Sequence, residues 1–269
     1  MSSDAKNCEI KIDNTSACYL TFGKGSKNLV VIPGIGDGLN LVKGMAMQFA
    51  LDYKVFTEEY KSYAFCRRTD LTKGFTTEDM ANDVIRHMDD LGIDKADIIG
   101  ISQGGMIAQY IAINAPEKVN KLVLAVTVAK SNKILEDTMN GWIEMAKNQD
   151  FKGIMVDMSE RSYCGDYLES ARKQYKLLDS IGKNITYDRF ICEAESCLNH
   201  NSFDRLKEIK APTLVIGANL DKVFGVEGSK ELAEMIPNSK LHIYEEYSHG
   251  VFEQDKDFNS KIFDFLNGI

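Results

Sequence analysis

Short apolar runs separated by amphipathic stretches make up most of the chain. The apolar runs lie at residues 28–32, 63–66, 96–100, 122–128, 213–217 and 241–244. Runs of this length are typical of strands that are covered on both faces of a parallel sheet. Because stretches with helical spacing lie between most of them, the pattern predicts an α/β protein with a doubly wound, mostly parallel sheet.

Local signals place several helices between these strands. Residues 41–50 are expected to form one helix. Thr76 and Asp79 form a start signal for another helix, whose apolar spacing runs to a stop at Gly92. Residues 258–266 predict an amphipathic helix that closes the chain.

The N-terminal region has a different pattern. Residues 8–13 and 17–22 alternate between apolar and polar positions, and a turn cluster at residues 14–16 separates them. Alternation of this kind around a turn predicts a β-hairpin at an edge of the sheet.

Residues 131–205 interrupt the alternation of strands and helices. They contain no clear buried strand, and they show helical spacing at Met139, Trp142, Ile143 and Ala146. A stretch of about 75 residues is far longer than an ordinary connection, so we favour an inserted helical cap over an elongated crossover. The expected division is a core of residues 1–130 and 206–269 with a cap of residues 131–205.

The sequence at residues 100–104, Gly-Ile-Ser-Gln-Gly, matches the pattern G-x-S-x-G between a predicted strand and a predicted helix. A strand that turns directly into a helix strains the residue at its apex, and side chains two positions away would collide. The glycines relieve that collision, and the Ser102 hydroxyl is held out from the edge of the sheet. The amide of Gln103 lies at the start of the helix and is directed toward the same space.

On this motif and its context, the chain resembles the α/β-hydrolase superfamily, which includes lipases, esterases and peptidases. The resemblance runs from about residue 28 to residue 266 and is weakest in the middle third. It implies a nucleophilic Ser102 and, in chain order, an acid and a histidine that complete a catalytic triad.

The chain offers four histidines for the base, at residues 87, 200, 242 and 249. His87 lies within a predicted helix, His200 in the predicted cap and His242 inside a predicted strand. His249 lies in a loop between the last strand and the C-terminal helix, where the family carries its base. We therefore predict that His249 activates Ser102.

The predicted acid is Asp221, in the loop that follows the strand at residues 213–217. Glu227 and Glu231 lie nearby but fall toward the next helix. No acid directly follows the strand at residues 122–128, so the alternative position that some relatives use is not filled.

Two backbone amides are expected to form an oxyanion hole. Gln103 supplies one, and the resemblance implies that Ile35 supplies the other from the loop after residues 28–32. The chain departs from the family in two places: Pro33 replaces a histidine, and residues 67–70, Arg-Arg-Thr-Asp, replace a glycine-rich turn. A backbone donor does not depend on the first change.

The composition is that of an ordinary globular protein of 269 residues with a net charge of −8. The negative charge argues against nucleic acid or an anionic membrane as a partner. No run of about 18 apolar residues exists to span a bilayer, and the N-terminus carries no secretory signal pattern.

Six cysteines, at residues 8, 18, 66, 164, 192 and 197, show no C-x-x-C spacing and no histidine cluster. We therefore expect no metal site, reduced thiols and a cytoplasmic protein. We also expect no cofactor, a small-molecule substrate, and a monomer or homodimer.

The leading hypothesis is a serine hydrolase that cleaves an ester or related acyl bond. The apolar residues predicted for the cap favour small to medium, uncharged, largely apolar substrates. The alternatives are acyl transfer, carbon–carbon bond hydrolysis or aminopeptidase action by the same triad, and a non-catalytic small-ligand receptor on the same fold.

Overall fold

A computed structural model describes residues 4–180 and 186–269; residues 1–3 and 181–185, which fall in the predicted core and cap, lie outside the described residues. Its strands form one sheet in the order β1-β2-β4-β3-β5-β6-β7-β8. The strands are β1 Lys6–Ile12, β2 Thr15–Phe22, β3 Lys27–Ile32, β4 Tyr60–Arg68, β5 Ala96–Ile101, β6 Val119–Ala125, β7 Thr213–Ala218 and β8 Ser239–Tyr244. From β4 to β8 all neighbours are parallel, as the apolar runs predict.

The edge hairpin is confirmed. Strand β1 pairs with β2 in antiparallel register, and β2 pairs with β4, so the hairpin extends the parallel sheet by two strands. The turn lies at Asp13 and Asn14, slightly before the predicted position, and Asp13 adopts a positive φ of 50° there.

Helices cover both faces of the sheet, which confirms the doubly wound architecture. Helices α2, α3 and α8 pack on one face, and α1 and α10 pack on the other. The α-helices of the described residues are α1 Ala46–Asp52, α2 Thr77–Asp90, α3 Gln103–Asn114, α4 Lys133–Lys147, α5 Phe151–Ser162, α6 Gly165–Gln174, α7 Asp188–Leu198, α8 Glu227–Met235, α9 Val251–Gln254 and α10 Phe258–Asn267.

The starts of α1 and α2 can be compared with the helix starts that the sequence predicts. The Thr76–Asp79 capping box is present at the start of α2, with both reciprocal hydrogen bonds formed. The prediction of a helix over residues 41–50 is wrong at its start, because α1 begins only at Ala46. Gly44 adopts a φ of 90°, which an α-helix cannot accommodate, so the chain turns there before the helix begins.

Helices α4 to α7 occupy the long connection between β6 and β7, and we call residues 133–198 the helical insertion. Its apolar residues pack over the carboxyl ends of the strands. Met139, Trp142 and Ile143 of α4 join Met106 and Phe224 of the core in one buried cluster. The predicted apolar stripe therefore fastens the insertion to the sheet.

Cys18 and Cys66 form a disulfide between β2 and β4, with their Cα atoms 5.4 Å apart. The expectation that all cysteines are reduced is therefore wrong for this pair. The two residues are 48 positions apart in sequence, and the antiparallel pairing of β2 with β4 brings them together. Since the expectation of a reducing compartment depended on reduced cysteines, the disulfide removes that support.

Among the described residues, no helix combines the length and the apolar character that crossing a bilayer requires.

Candidate active site

Ser102 stands at the apex of the turn between β5 and α3. Its backbone has φ 56° and ψ −123°, a conformation that favours glycine over residues with a side chain. A side chain at Gly104 would overlap the carbonyl oxygen of Ile32, and one at Gly100 would overlap the first turn of α3. The motif glycines are therefore needed for the helix to approach the sheet this closely.

The structure brings Ser102, His249 and Asp221 into one hydrogen-bonded chain. Ser102 Oγ lies 2.9 Å from His249 Nε2, and His249 Nδ1 lies 2.8 Å from Asp221 Oδ2. The three residues are only 6%, 5% and 8% exposed, in the order Ser102, His249, Asp221. Because the acid holds Nδ1–H, Nε2 is left free to accept the serine proton.

Backbone amides orient the carboxylate of Asp221. Its Oδ1 accepts hydrogen bonds from the amides of Val223, at 2.7 Å, and Phe224, at 2.9 Å. Burial opposes ionisation most strongly, but His249 and these amides outweigh it and hold the pKa of Asp221 below its usual value. The other carboxylates considered in this region, Glu227 and Glu231, pair with surface lysines instead.

The loop that carries His249 is fixed from both sides. Ser248 Oγ lies 2.6 Å from the carbonyl oxygen of Arg161 in α5 and 2.8 Å from that of Leu220 beside the acid. The Gly250 amide donates to the carbonyl of Ser162 at 2.7 Å. The helical insertion thus helps to position the histidine.

The remaining histidines lie elsewhere. His87 lies on α2 and is buried, and burial lowers its pKa. His200 is also buried, with its pKa lowered to about 3, and contacts Thr77 Oγ1 at 2.9 Å. His242 packs edge-on against Tyr244. None of these three contacts Ser102 in the described structure.

The two predicted oxyanion segments meet beside Ser102. A Cβ placed on Gly34, next to Ile35, would lie 3.2 Å from Ser102 Cβ, so this loop passes directly over the serine. Gln103 begins α3 and is fully buried. Within the described part of the chain, neither the Ile35 amide nor the Gln103 amide donates to a protein acceptor.

A family model for the alpha/beta hydrolase fold matches residues 27–256. The chain belongs to this family. Its relatives include 3-oxoadipate enol-lactonase 2 of Acinetobacter baylyi, 23% identical over 91% of this chain and 90% of the relative. Another is a 2-hydroxy-6-oxononadienedioate/2-hydroxy-6-oxononatrienedioate hydrolase of Pseudomonas putida, 26% identical over 92% and 90%. Among solved structures, MGS-M2, an alpha/beta hydrolase enzyme from a Medee basin deep-sea metagenome library, superposes with a TM-score of 0.86 at 23% identity and covers 97% of each chain.

This α/β hydrolase also contains a buried group of charged residues that the sequence reasoning missed. Arg67, at the end of β4, is 5% exposed, and Asp37 and Glu193 are fully buried. Arg189 of α7 pairs with Asp37 and lies 3.5 Å from Glu193. The one signal of this group in the sequence is Arg67 itself, a charged residue that directly follows the apolar run at residues 63–66.

Burial and the neighbouring carboxylate of Asp37 raise the pKa of Glu193 to about 8, while Arg67 and Arg189 oppose the shift. Cys18, Cys66 and Asp37 also gather potential metal-ligand atoms within 4.8 Å of one another. The disulfide uses both sulfur atoms, which leaves a single carboxylate as a ligand.

One cavity of this α/β hydrolase reaches residues next to Ser102, and another is lined by Arg67. A cleft of about 540 Å³ reaches Gly34 beside Ser102 and Phe252, three residues after His249, and Tyr167 of the insertion forms part of its wall. A cavity of about 310 Å³ lies between the N-terminal hairpin and α7, and Arg67 lines it.

Proposed function

We propose that the chain is a cofactor-independent serine hydrolase that cleaves an ester or related acyl bond through an acyl-enzyme. The observation that carries this proposal is the 2.9 Å contact between Ser102 Oγ and His249 Nε2, continued at 2.8 Å to Asp221. A serine hydroxyl needs such a base to become a nucleophile. The relatives named as an enol-lactonase and as a hydrolase support the same class of reaction.

The proposed mechanism has two halves. In the first, Ser102 Oγ attacks the substrate carbonyl while its proton passes to His249 Nε2, and the amides of Ile35 and Gln103 stabilise the oxyanion. Collapse of this intermediate breaks the bond to the leaving group, which takes the proton from His249. In the second, water loses a proton to His249 and attacks the acyl-enzyme, which releases the acid and restores Ser102.

We also propose that the helical insertion is a cap, within residues 131–205, and that the 540 Å³ cleft admits the substrate. The cleft joins aromatic residues such as Phe49, Tyr53 and Phe252 with charges of both signs. Its charged residues are Asp52, Lys54, Glu253, Asp255 and Lys256. Because positive charge is not in excess, the cleft favours uncharged acyl groups over anionic ones.

Carbon–carbon bond hydrolysis is the second candidate, since the 26% identical relative is named for a dienedioate compound. The net charge of the cleft weighs against it, because a dioate carries two carboxylates and the three acidic residues of the cleft outnumber its two lysines. Comparing kcat/KM for that compound with kcat/KM for a neutral ester separates the two candidates.

The test of the acyl mechanism is covalent labelling with a fluorophosphonate probe. Wild-type protein should be labelled and should hydrolyse p-nitrophenyl esters, and Ser102→Ala should do neither. Ser131→Ala, at a serine that borders the insertion, is the matched control and should be labelled like wild type. A wild-type protein that binds small esters but is neither labelled nor active would be the non-catalytic receptor.

Acyl chain length tests the substrate class. Each methylene that the cleft accommodates should gain about 0.8 kcal/mol, or roughly fourfold in kcat/KM. A series of neutral p-nitrophenyl esters should therefore show a rise in kcat/KM with length and then a fall. A flat profile, or one in which an anionic acyl group leads, would refute the proposed specificity.

A further inference from the structure

The two amides of the proposed oxyanion hole come from separate segments of the chain, and the guanidinium of Arg67 joins these segments. Arg67 Nη2 donates to the carbonyl oxygen of Pro33 at 2.6 Å and to Gln103 Oε1 at 2.7 Å. Both hydrogen bonds are buried. Pro33 lies two residues before Ile35, and Gln103 carries the second amide itself. A single nitrogen atom thus contacts both halves of the hole.

The side chain of Gln103 is also held at its other end. Its Nε2 donates to the carbonyl oxygen of Glu193 at 2.8 Å and to Ser196 Oγ at 3.1 Å, both on α7. Gln103 therefore spans the distance from Arg67 to the helical insertion. Its side chain has no freedom to move unless one of these contacts breaks.

Arg67 is itself fixed in place by its backbone. Its amide donates to Asp37 Oδ2 at 2.7 Å, and its carbonyl accepts from Arg189 Nη2 at 3.3 Å. Arg189 in turn pairs with the same carboxylate of Asp37. The guanidinium of Arg67 thus extends from a rigid point at the end of β4.

We propose that Arg67 is a positioning residue that sets the separation of the Ile35 and Gln103 amides. An oxyanion hole stabilises a transition state only when its donors are held where the charge develops, and a misplacement of about 1 Å can cost on the order of 100-fold in rate. Arg67 does not touch the substrate, so its contribution appears in the transition state rather than in substrate binding. This inference rests on the proposed acyl mechanism.

The first test replaces the guanidinium. For Arg67→Met, kcat on a p-nitrophenyl ester should fall about 10- to 100-fold, while KM changes less than about threefold. The affinity for a trifluoromethyl ketone, which forms a tetrahedral adduct with Ser102, should fall by the same factor as kcat/KM. Arg67→Lys keeps the charge but not the planar group, so it should recover only part of this loss.

Arg68→Met provides a matched control. Arg68 follows Arg67 in β4 and is also mostly buried, but it pairs with the buried Asp83 and the exposed Asp13, away from the oxyanion segments. Its loss should lower the stability of the fold and leave kcat and the ketone affinity close to wild type. A purely structural role for Arg67 would make the two variants alike.

A double-mutant cycle tests the path through Gln103. Gln103→Met removes the side-chain contacts and keeps the backbone amide, so it should reduce kcat by a factor similar to Arg67→Met. If Arg67 acts through Gln103, the double variant should lose much less than the product of the two single losses. If the loss of kcat in the double variant equals the product of the two single losses, Arg67 does not act through Gln103.

The inference is overturned if Arg67→Met keeps wild-type kcat and ketone affinity, or if Arg67→Lys restores both fully. If Arg67→Met fails to fold, Arg67→Lys and Gln103→Met decide the question by the same two measurements. Failure of the proposed function has a different signature, because wild-type protein would then not react with fluorophosphonate at Ser102. A labelled, active wild type with an unimpaired Arg67→Met refutes the positioning role alone.

Discussion

The two sides of Ser102 are held in place by different forces. On the acid–base side, His249 and Asp221 are fixed mainly by hydrogen bonds from neighbouring backbone groups and Ser248. On the oxyanion side, the loop before Ile35 and the side chain of Gln103 are fixed by buried charges. Substitutions on the acid–base side should therefore lower mainly kcat. Substitutions on the oxyanion side should lower both the stability of the fold and the stabilisation of the transition state.

The largest expected effect is on the acid–base side. His249→Ala should lower kcat for ester hydrolysis on the order of 10⁴- to 10⁶-fold, because Ser102 then lacks its base. Adding Ser102→Ala should cause little further loss, since the residues act as one unit. Steady-state kinetics on the single and double variants measure this, and an active His249→Ala would mean that the base lies elsewhere.

Asp221→Asn should cost less, on the order of 10²- to 10⁴-fold in kcat, because an amide favours the wrong histidine tautomer. Glu227→Gln is the control, since Glu227 lies nearby in sequence but pairs with Lys230 on the surface. It should match wild type. The assignment of Asp221 as the acid is wrong if Glu227→Gln loses activity and Asp221→Asn does not.

On the oxyanion side, Asp37→Asn should lower the free energy of unfolding by about 3 kcal/mol, because it leaves a buried cation of Arg189 without its main partner. Asp13→Asn, at an exposed ion pair with Arg86, should lower it much less, because water and salt screen that pair. Urea titrations of the two variants provide the comparison. Equal and small losses would show that buried charges do not hold this side together.

The contributions of Glu193 and Asp221 to the stability of the fold should change with pH in opposite directions. Glu193 has a folded pKa raised to about 8, so above its unfolded pKa of about 4.3 the folded state keeps a proton that the unfolded state loses. Its contribution to stability is complete below pH 4.3 and is lost as the pH rises toward 8. Asp221 has a lowered pKa, so its contribution is present above an unfolded pKa of about 3.9 and is lost as the pH falls.

Unfolding free energies between pH 5 and pH 8 test the first of these contributions. One proton changes the slope by up to about 1.4 kcal/mol per pH unit, and Glu193→Gln should flatten the slope. If the unfolding free energies of the wild type and Glu193→Gln change in parallel with pH, the pKa of Glu193 is not raised in the folded state.

The difference between the acid–base side and the oxyanion side also explains which residues the sequence could predict. Ser102, Asp221 and His249 each follow a strand, so the G-x-S-x-G motif and the chain order that the family resemblance implies are enough to select all three as candidates. The charged residues of the oxyanion side could not be found in this way. Arg67 and Arg189 are 122 positions apart, and their meeting depends on how α7 packs over the sheet.

The same reason accounts for the other misses. The disulfide depends on the register of β2 against β4, which alternation alone does not define. The start of α1 depends on the backbone conformation at Gly44. The architecture itself was predictable because periodicity repeats along the whole chain, whereas each of these features rests on one specific contact or one residue.

The backbone of Ser102 also has an evolutionary consequence. A side chain held in this conformation costs the fold about 1–3 kcal/mol, and glycine would remove that cost. Drift under selection for stability alone would therefore replace the serine by glycine, as it would relax any strained turn. In a lineage that did not need the Ser102 hydroxyl, residue 102 would be among the first positions to change, and the protein would become more stable as that hydroxyl was lost.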